Sequence, residues 1–195
     1  MNITFPAEPL DLAIILGSSE PDSIKKYDAQ RTIIKSILDK LDISRKSVLP
    51  SLVSHGKPPI LNSRIGEIVD KVTAVRRIDA VLSSGESRDP ASALQLVNDT
   101  VFAPENGARS NVPKSVIMFV DKKDVGDSGT INELAKQFKE EGTKLVIIGM
   151  GKDVDKDALK PLVHNNGAIF FPPNLEEVKR LLDPIVAALK PGKLT

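Results

Sequence analysis

Five consecutive apolar residues, Leu12 to Leu16, stop abruptly at Gly17-Ser18-Ser19. A short apolar run with no polar alternation is how a strand reads when both faces of its sheet are covered. The polar stop then falls at the carboxyl edge, where open α/β sheets bind their ligands. The stretch Leu10 to Pro21, LDLAIILGSSEP, therefore predicts a parallel sheet and marks where to look for a site.

Comparable runs recur at Ser115–Val120, Lys144–Ile148 and Ala168–Phe171. A further strand is expected over Lys46–Ser54, where Pro50 removes one amide donor and argues for a bulge or an edge position. Ile60–Ser63 reads as a brief return strand after the turn His55–Pro59. Helical stripes fall between the strands, at Ile24–Leu41, Pro90–Phe102, Thr130–Glu141 and Asp155–Val163. Asp89 is the expected cap of the second of these, with Pro90 at its first position. The spacing of Ile65, Ile68, Val69, Val72 and Val75 predicts another helix over Ile65–Arg77, and Asn174–Leu189 reads as one continuous helix.

Strands alternating with helices imply an α/β fold. The expected form is a doubly wound, mostly parallel six-stranded sheet with one antiparallel edge strand and helices on both faces. Residues 1–9 and 191–195 are read as tails and 10–190 as the domain. Right-handed crossovers bring the ends of the first and fourth parallel strands side by side. The loops Gly17–Pro21, Gly85–Asp89 and Asp121–Asp127 are then expected to meet at one rim.

Charge and composition narrow the function. The net charge is +1, and no aromatic platform is interleaved with basic residues, so nucleic acid is not an expected partner. With no cysteine there is no disulfide, thiolate chemistry or Cys-bound zinc. No apolar run approaches the roughly 20 residues of a membrane span. Gly17-Ser18-Ser19 lacks the Gly-x-Ser-x-Gly pattern of a nucleophile elbow. The only histidines, His55 and His164, are expected at the surface, which leaves such a serine without a base. Gly149-Met150-Gly151-Lys152 lacks the spacing of a phosphate loop, and Asp121, Asp124 and Asp127 lack that of an EF-hand. Two Asn-x-Thr triplets, at Asn2 and Asn98, are candidate glycosylation sites.

The order and spacing of several stretches resemble the von Willebrand factor type A domain, also called integrin I-like. They are DLAIILGSSEP, DPASALQLVNDTVF, VPKSVIMFVDKKD, the run from LAKQFKEEGTKLVIIGMG to DALKPLV, and FFPPNLEEVKRLLDPIV. The resemblance spans about Asp11 to Leu189 and implies a Rossmann-like vWA fold. It also implies a metal-ion-dependent adhesion site built from an Asp-x-Ser-x-Ser loop, a Thr and a further Asp, hard oxygen donors suited to magnesium. In this chain the leading Asp is Gly17, the second Ser is Pro21 and the Thr is Arg88. Only Ser19 and Asp121 keep donor side chains, so two of five positions survive and the site reads as degenerate. Arg88 is expected to stand in for the metal by pairing with Asp121.

The resulting expectation is a non-enzymatic domain, secreted into the extracellular matrix, that binds a protein or matrix ligand such as collagen or another matrix protein. The binding rim would comprise Ser18, Ser19, Glu20, Arg88, Asp121 and Asp124. No cofactor is expected, beyond weak binding of a divalent cation. The rival expectation is a cytoplasmic type A domain acting as an assembly factor in a multiprotein complex.

Overall fold

The computed structural model describes residues 8–17, 24–82, 89–120, 126–150, 154–164 and 167–191, without the side chains at 24–26 and 175. The sheet grows outward from β1 (Leu10–Leu16), which is buried along its whole length. β2 (Val48–Ser54) and β4 (Lys114–Val120) flank it in parallel. β5 (Lys144–Gly149) and β6 (Ala168–Phe170) continue beyond β4, also in parallel. β3 (Ile60–Ser63) closes the other edge antiparallel to β2, so the order is β3-β2-β1-β4-β5-β6.

Alternate residues of β1 enter two separate cores. Leu12, Ile14 and Leu16 share a layer with Ile34 and Ile37 of α1 (Ile24–Asp39) and Ile78 of α2 (Lys71–Ala80). Val178 of α6 (Leu175–Arg180) and Ile185 of α7 (Leu182–Leu189) complete that layer. Ala13 and Ile15 face Leu94 of α3 (Pro90–Leu96), Leu134 and Phe138 of α4 (Ser128–Glu140), and Leu159 of α5 (Lys156–Leu159). Burying one such aliphatic side chain is worth about 1.5–3 kcal/mol. This double coverage is the reason the strand sequence shows no polar alternation.

Pro50 sits on an inner strand, opposite Leu12 of β1. β3 joins β2 only from Leu52 onward, with a register shift between Leu52 and Val53. The proline therefore removes no bond to β3, and the irregularity it signalled falls two residues later.

Two helices depart from the expected boundaries. Residues 65–70 are not helical, and α2 starts at Lys71. Asp70 caps it, its carboxylate accepting from the Thr73 amide at 2.7 Å and the Thr73 hydroxyl at 2.9 Å. Ile65 and Ile68 are buried from the preceding turn, whereas Val72 is 74% exposed. The inward face of α2 is Ala74 and Ile78, so the apparent stripe merged two structures.

The last helix is two pieces that meet at Leu181 (φ −91°, ψ 0°). Pro184 explains the break. In a continuous helix its ring would press on the Arg180 carbonyl, while in the first turn of α7 its missing N–H is no loss. α7 ends against the sheet, where the Ser115 hydroxyl donates to the Leu189 carbonyl at 2.8 Å. α3 runs as expected from its Asp89 cap but passes into a π turn over Val97–Val101.

A pairing at the amino end of the sheet had no sequence signal. Asp11 is fully buried, and its carboxylate accepts from the Arg109 Nε at 2.8 Å and the Arg109 amide at 2.7 Å. The same guanidinium donates to the Leu10 and Ser47 carbonyls at 2.9 and 2.8 Å. One side chain thereby ties the starts of β1 and β2 to the loop before β4.

Candidate functional site

The carboxyl end of β1 is closed by neutral contacts. Gly17 is buried, and its amide donates to Gln30 Oε1 at 3.1 Å. Gln30 Nε2 returns a bond to the Gly17 carbonyl at 3.1 Å, and Gln30 itself is 1% exposed. Gln30 lies on the stripe formed by Tyr27, Ile34 and Ile37. A polar residue on an apolar stripe was the available sequence signal for this contact.

His55 lies immediately after β2 and was expected at the surface. It is 2% exposed instead, with its amide donating to the Leu16 carbonyl at 2.8 Å. Its side chain covers Gly17. A β-carbon on Gly17 would lie 2.5 Å from the His55 Cβ and 2.8 Å from its Cδ2, far inside van der Waals contact. The burial arises because the neighbouring strand ends in a residue without a side chain.

Asp89 and Gly126, at the described edges of the second and third loops, abut each other. Asp89 caps α3, accepting from the Ser92 amide at 3.0 Å and the Ser92 hydroxyl at 2.6 Å. Burial pushes this carboxyl upward, but the Ser92 bonds and the nearby Lys57 ammonium outweigh it, leaving the group below its ordinary value. Gly126 adopts φ +98° beside it, and a β-carbon there would stand 2.9 Å from Asp89 Oδ1 and 2.7 Å from the Ala91 Cβ. Gly17 with His55, and Asp89 with Gly126, are the described neighbours at the roots of these loops.

Ser18, Ser19, Glu20, Arg88, Asp121 and Asp124 lie outside the described residues, as do the expected Arg88–Asp121 pairing and Asn2. Asp127 is described, and its carboxylate caps α4 by accepting from the Thr130 amide at 2.7 Å and hydroxyl at 2.9 Å. Those bonds hold its carboxyl below the ordinary value. The Asn98 side-chain nitrogen, where a glycan would attach, is shared between Asp99 Oδ1 at 2.9 Å and Gln137 Oε1 at 3.1 Å. His164 is half-buried at the end of its helical turn.

The family model for the von Willebrand factor type A domain matches residues 11–184. The chain belongs to the von Willebrand factor type A domain family. Its sheet order and helical layers accord with that membership. It is 23% identical over 180 residues to von Willebrand factor A domain-containing protein 2 of Xenopus laevis, covering 92% of this chain and 22% of the relative. It is 24% identical over 148 residues to matrilin-1 of Gallus gallus, covering 76% of this chain and 29% of the relative. The chain thus spans only a minor part of these curated relatives. Among solved structures, proximal thread matrix protein 1 of the mussel byssus, with a zinc-occupied MIDAS motif, superposes with a TM-score of 0.83. That match has 17% sequence identity and covers 93% of this chain and 48% of the other, and it shows the fold.

A metal held in the manner of this family does not fit the described part of the rim. Gly17, where the resemblance puts the leading carboxylate, offers no side-chain donor, and a β-carbon there would stand 2.5 Å from the His55 Cβ. Among the described residues no three His, Asp or Glu side chains gather as a metal site.

Proposed function

We propose that this type A domain is a non-enzymatic binding module that engages a protein or extracellular-matrix ligand without a bridging magnesium ion. The observation that carries the reading is the closure of the Gly17 position by His55. The family's mode of binding needs an ion with an open coordination position, and this rim lacks its first carboxylate. A matrilin among the relatives and a thread matrix protein among the structural neighbours support the matrix setting and a secreted location. Residues 10–190 form the binding unit, with the loops after β1 and β4 and the loop before α3 supplying the contact surface.

The test is surface plasmon resonance with the purified chain over immobilised fibrillar collagen and over other matrix proteins. Each surface is run in magnesium, in manganese and in EDTA. Saturable binding with the same Kd in all three buffers is expected on at least one surface. Binding abolished by EDTA and restored by magnesium would overturn the reading.

A further inference from the structure

We infer that His55 is the residue that excludes the family's metal from this rim, by occupying the space of the leading ligand, and that Gly17 and His55 form a matched pair. The inference rests on the metal-independent reading above and adds its structural cause. On sequence alone the site is degraded by independent losses, namely Gly17, Pro21 and Arg88 where the family has Asp, Ser and Thr. If that were the whole account, restoring those three residues would restore the ion.

The geometry says otherwise. The nearest obstacles to a side chain at position 17 are His55 Cβ at 2.5 Å, Cδ2 at 2.8 Å and Cγ at 3.0 Å. The ring can swing away about χ1, but the β-carbon cannot be turned aside by a rotamer change, because its position is fixed by the backbone. That backbone is itself held, through the bond from the His55 amide to the Leu16 carbonyl at 2.8 Å. Nor can Gly17 retreat freely, since Gln30 grips both its amide and its carbonyl at 3.1 Å. Both partners are buried, so the contact has no solvent into which to relax. Any side chain at position 17, a ligating carboxylate included, therefore demands a change at position 55. The two positions are 38 apart in sequence but adjacent in space, at the ends of paired parallel strands.

Two variant series decide the matter. In the first, manganese binding is measured by calorimetry on the wild type, on G17D/P21S/R88T and on G17D/P21S/R88T/H55G, because only glycine at 55 removes the β-carbon that stands nearest to position 17. The triple variant is expected to bind no better than the wild type, and the quadruple variant at least about tenfold more tightly than the triple. Equal binding by the triple and quadruple variants overturns the inference, as does a folded quadruple variant that binds no ion. In the second, which needs no metal, G17A, H55G and G17A/H55G are compared by urea denaturation. G17A should lower the midpoint, and H55G, which takes away the β-carbon at 2.5 Å, should remove the effect of adding the alanine methyl. A G17A midpoint equal to that of the wild type, or a strictly additive double variant, overturns it. Failure of either series leaves the EDTA result on the wild-type chain untouched, so the two readings fail separately.

Discussion

The two ends of β1 solve the same problem in opposite ways. At the amino end, Asp11 places a full charge in the interior, and Arg109 answers it with an ion pair and bonds to neighbouring carbonyls. At the carboxyl end, the described residues around Gly17 are the Gln30 amide and the His55 side chain packed over the backbone. The charged end fastens three segments together. The neutral end holds the Gly17 backbone by an amide pair and by packing. The comparison teaches that a buried charge is kept where a partner is built in to meet it, and that a backbone position without one can be held by neutral groups alone.

The largest expected effect breaks the charged end. Arg109→Met leaves Asp11 buried without its cation and should cost about 3–5 kcal/mol, read as a fall in the denaturation midpoint. A loss below about 1 kcal/mol would mean that the pair acts like an exposed one. The neutral end should be weaker. Gln30→Leu preserves bulk but strips both bonds from Gly17, with an expected cost of about 2 kcal/mol.

Next comes the cap beside the rim. Asp89→Ala should cost about 1 kcal/mol. Because the folded Asp89 carboxyl lies below its ordinary value, its contribution is present at neutral pH. It is lost as the pH falls through the carboxylate range toward the folded value. Stability against pH should therefore fall less steeply on acidification in Asp89→Asn than in the wild type. The smallest expected quantity is the coupling between the ends. They are separated by the length of β1, about 20 Å at 3.3 Å per residue, so Arg109→Met and Gln30→Leu should add to within about 0.5 kcal/mol. A larger coupling would show that the strand transmits strain from one end to the other.

Much of the sheet was legible because a strand covered on both faces cannot hide its apolar run; β1, β4 and β5 are the examples. Helix phase was less legible. Ile65 and Ile68 are buried from a turn, yet their spacing continues into Val72 and Val75, which are exposed. The break at Leu181 depends on Pro184 three residues onward, within an otherwise regular apolar stripe. At the rim, the lack of a side chain at Gly17 could be read directly. The role of His55 could not, because a histidine before Gly-Lys-Pro-Pro has the local signature of a surface turn. Its burial is decided by what a different strand leaves vacant. Asp11 and Arg109 are farther apart still, and nothing within either segment announces the other.

The divided terminal helix sets how movement can pass along the molecule. α7 is moored to the sheet by Ser115 and by the insertion of Leu189 into the core. Sliding it along its axis would break that mooring, whereas turning α6 about Leu181 would not. Any message travelling between the loops and this last segment is thus expected to take the form of a bend rather than a piston stroke.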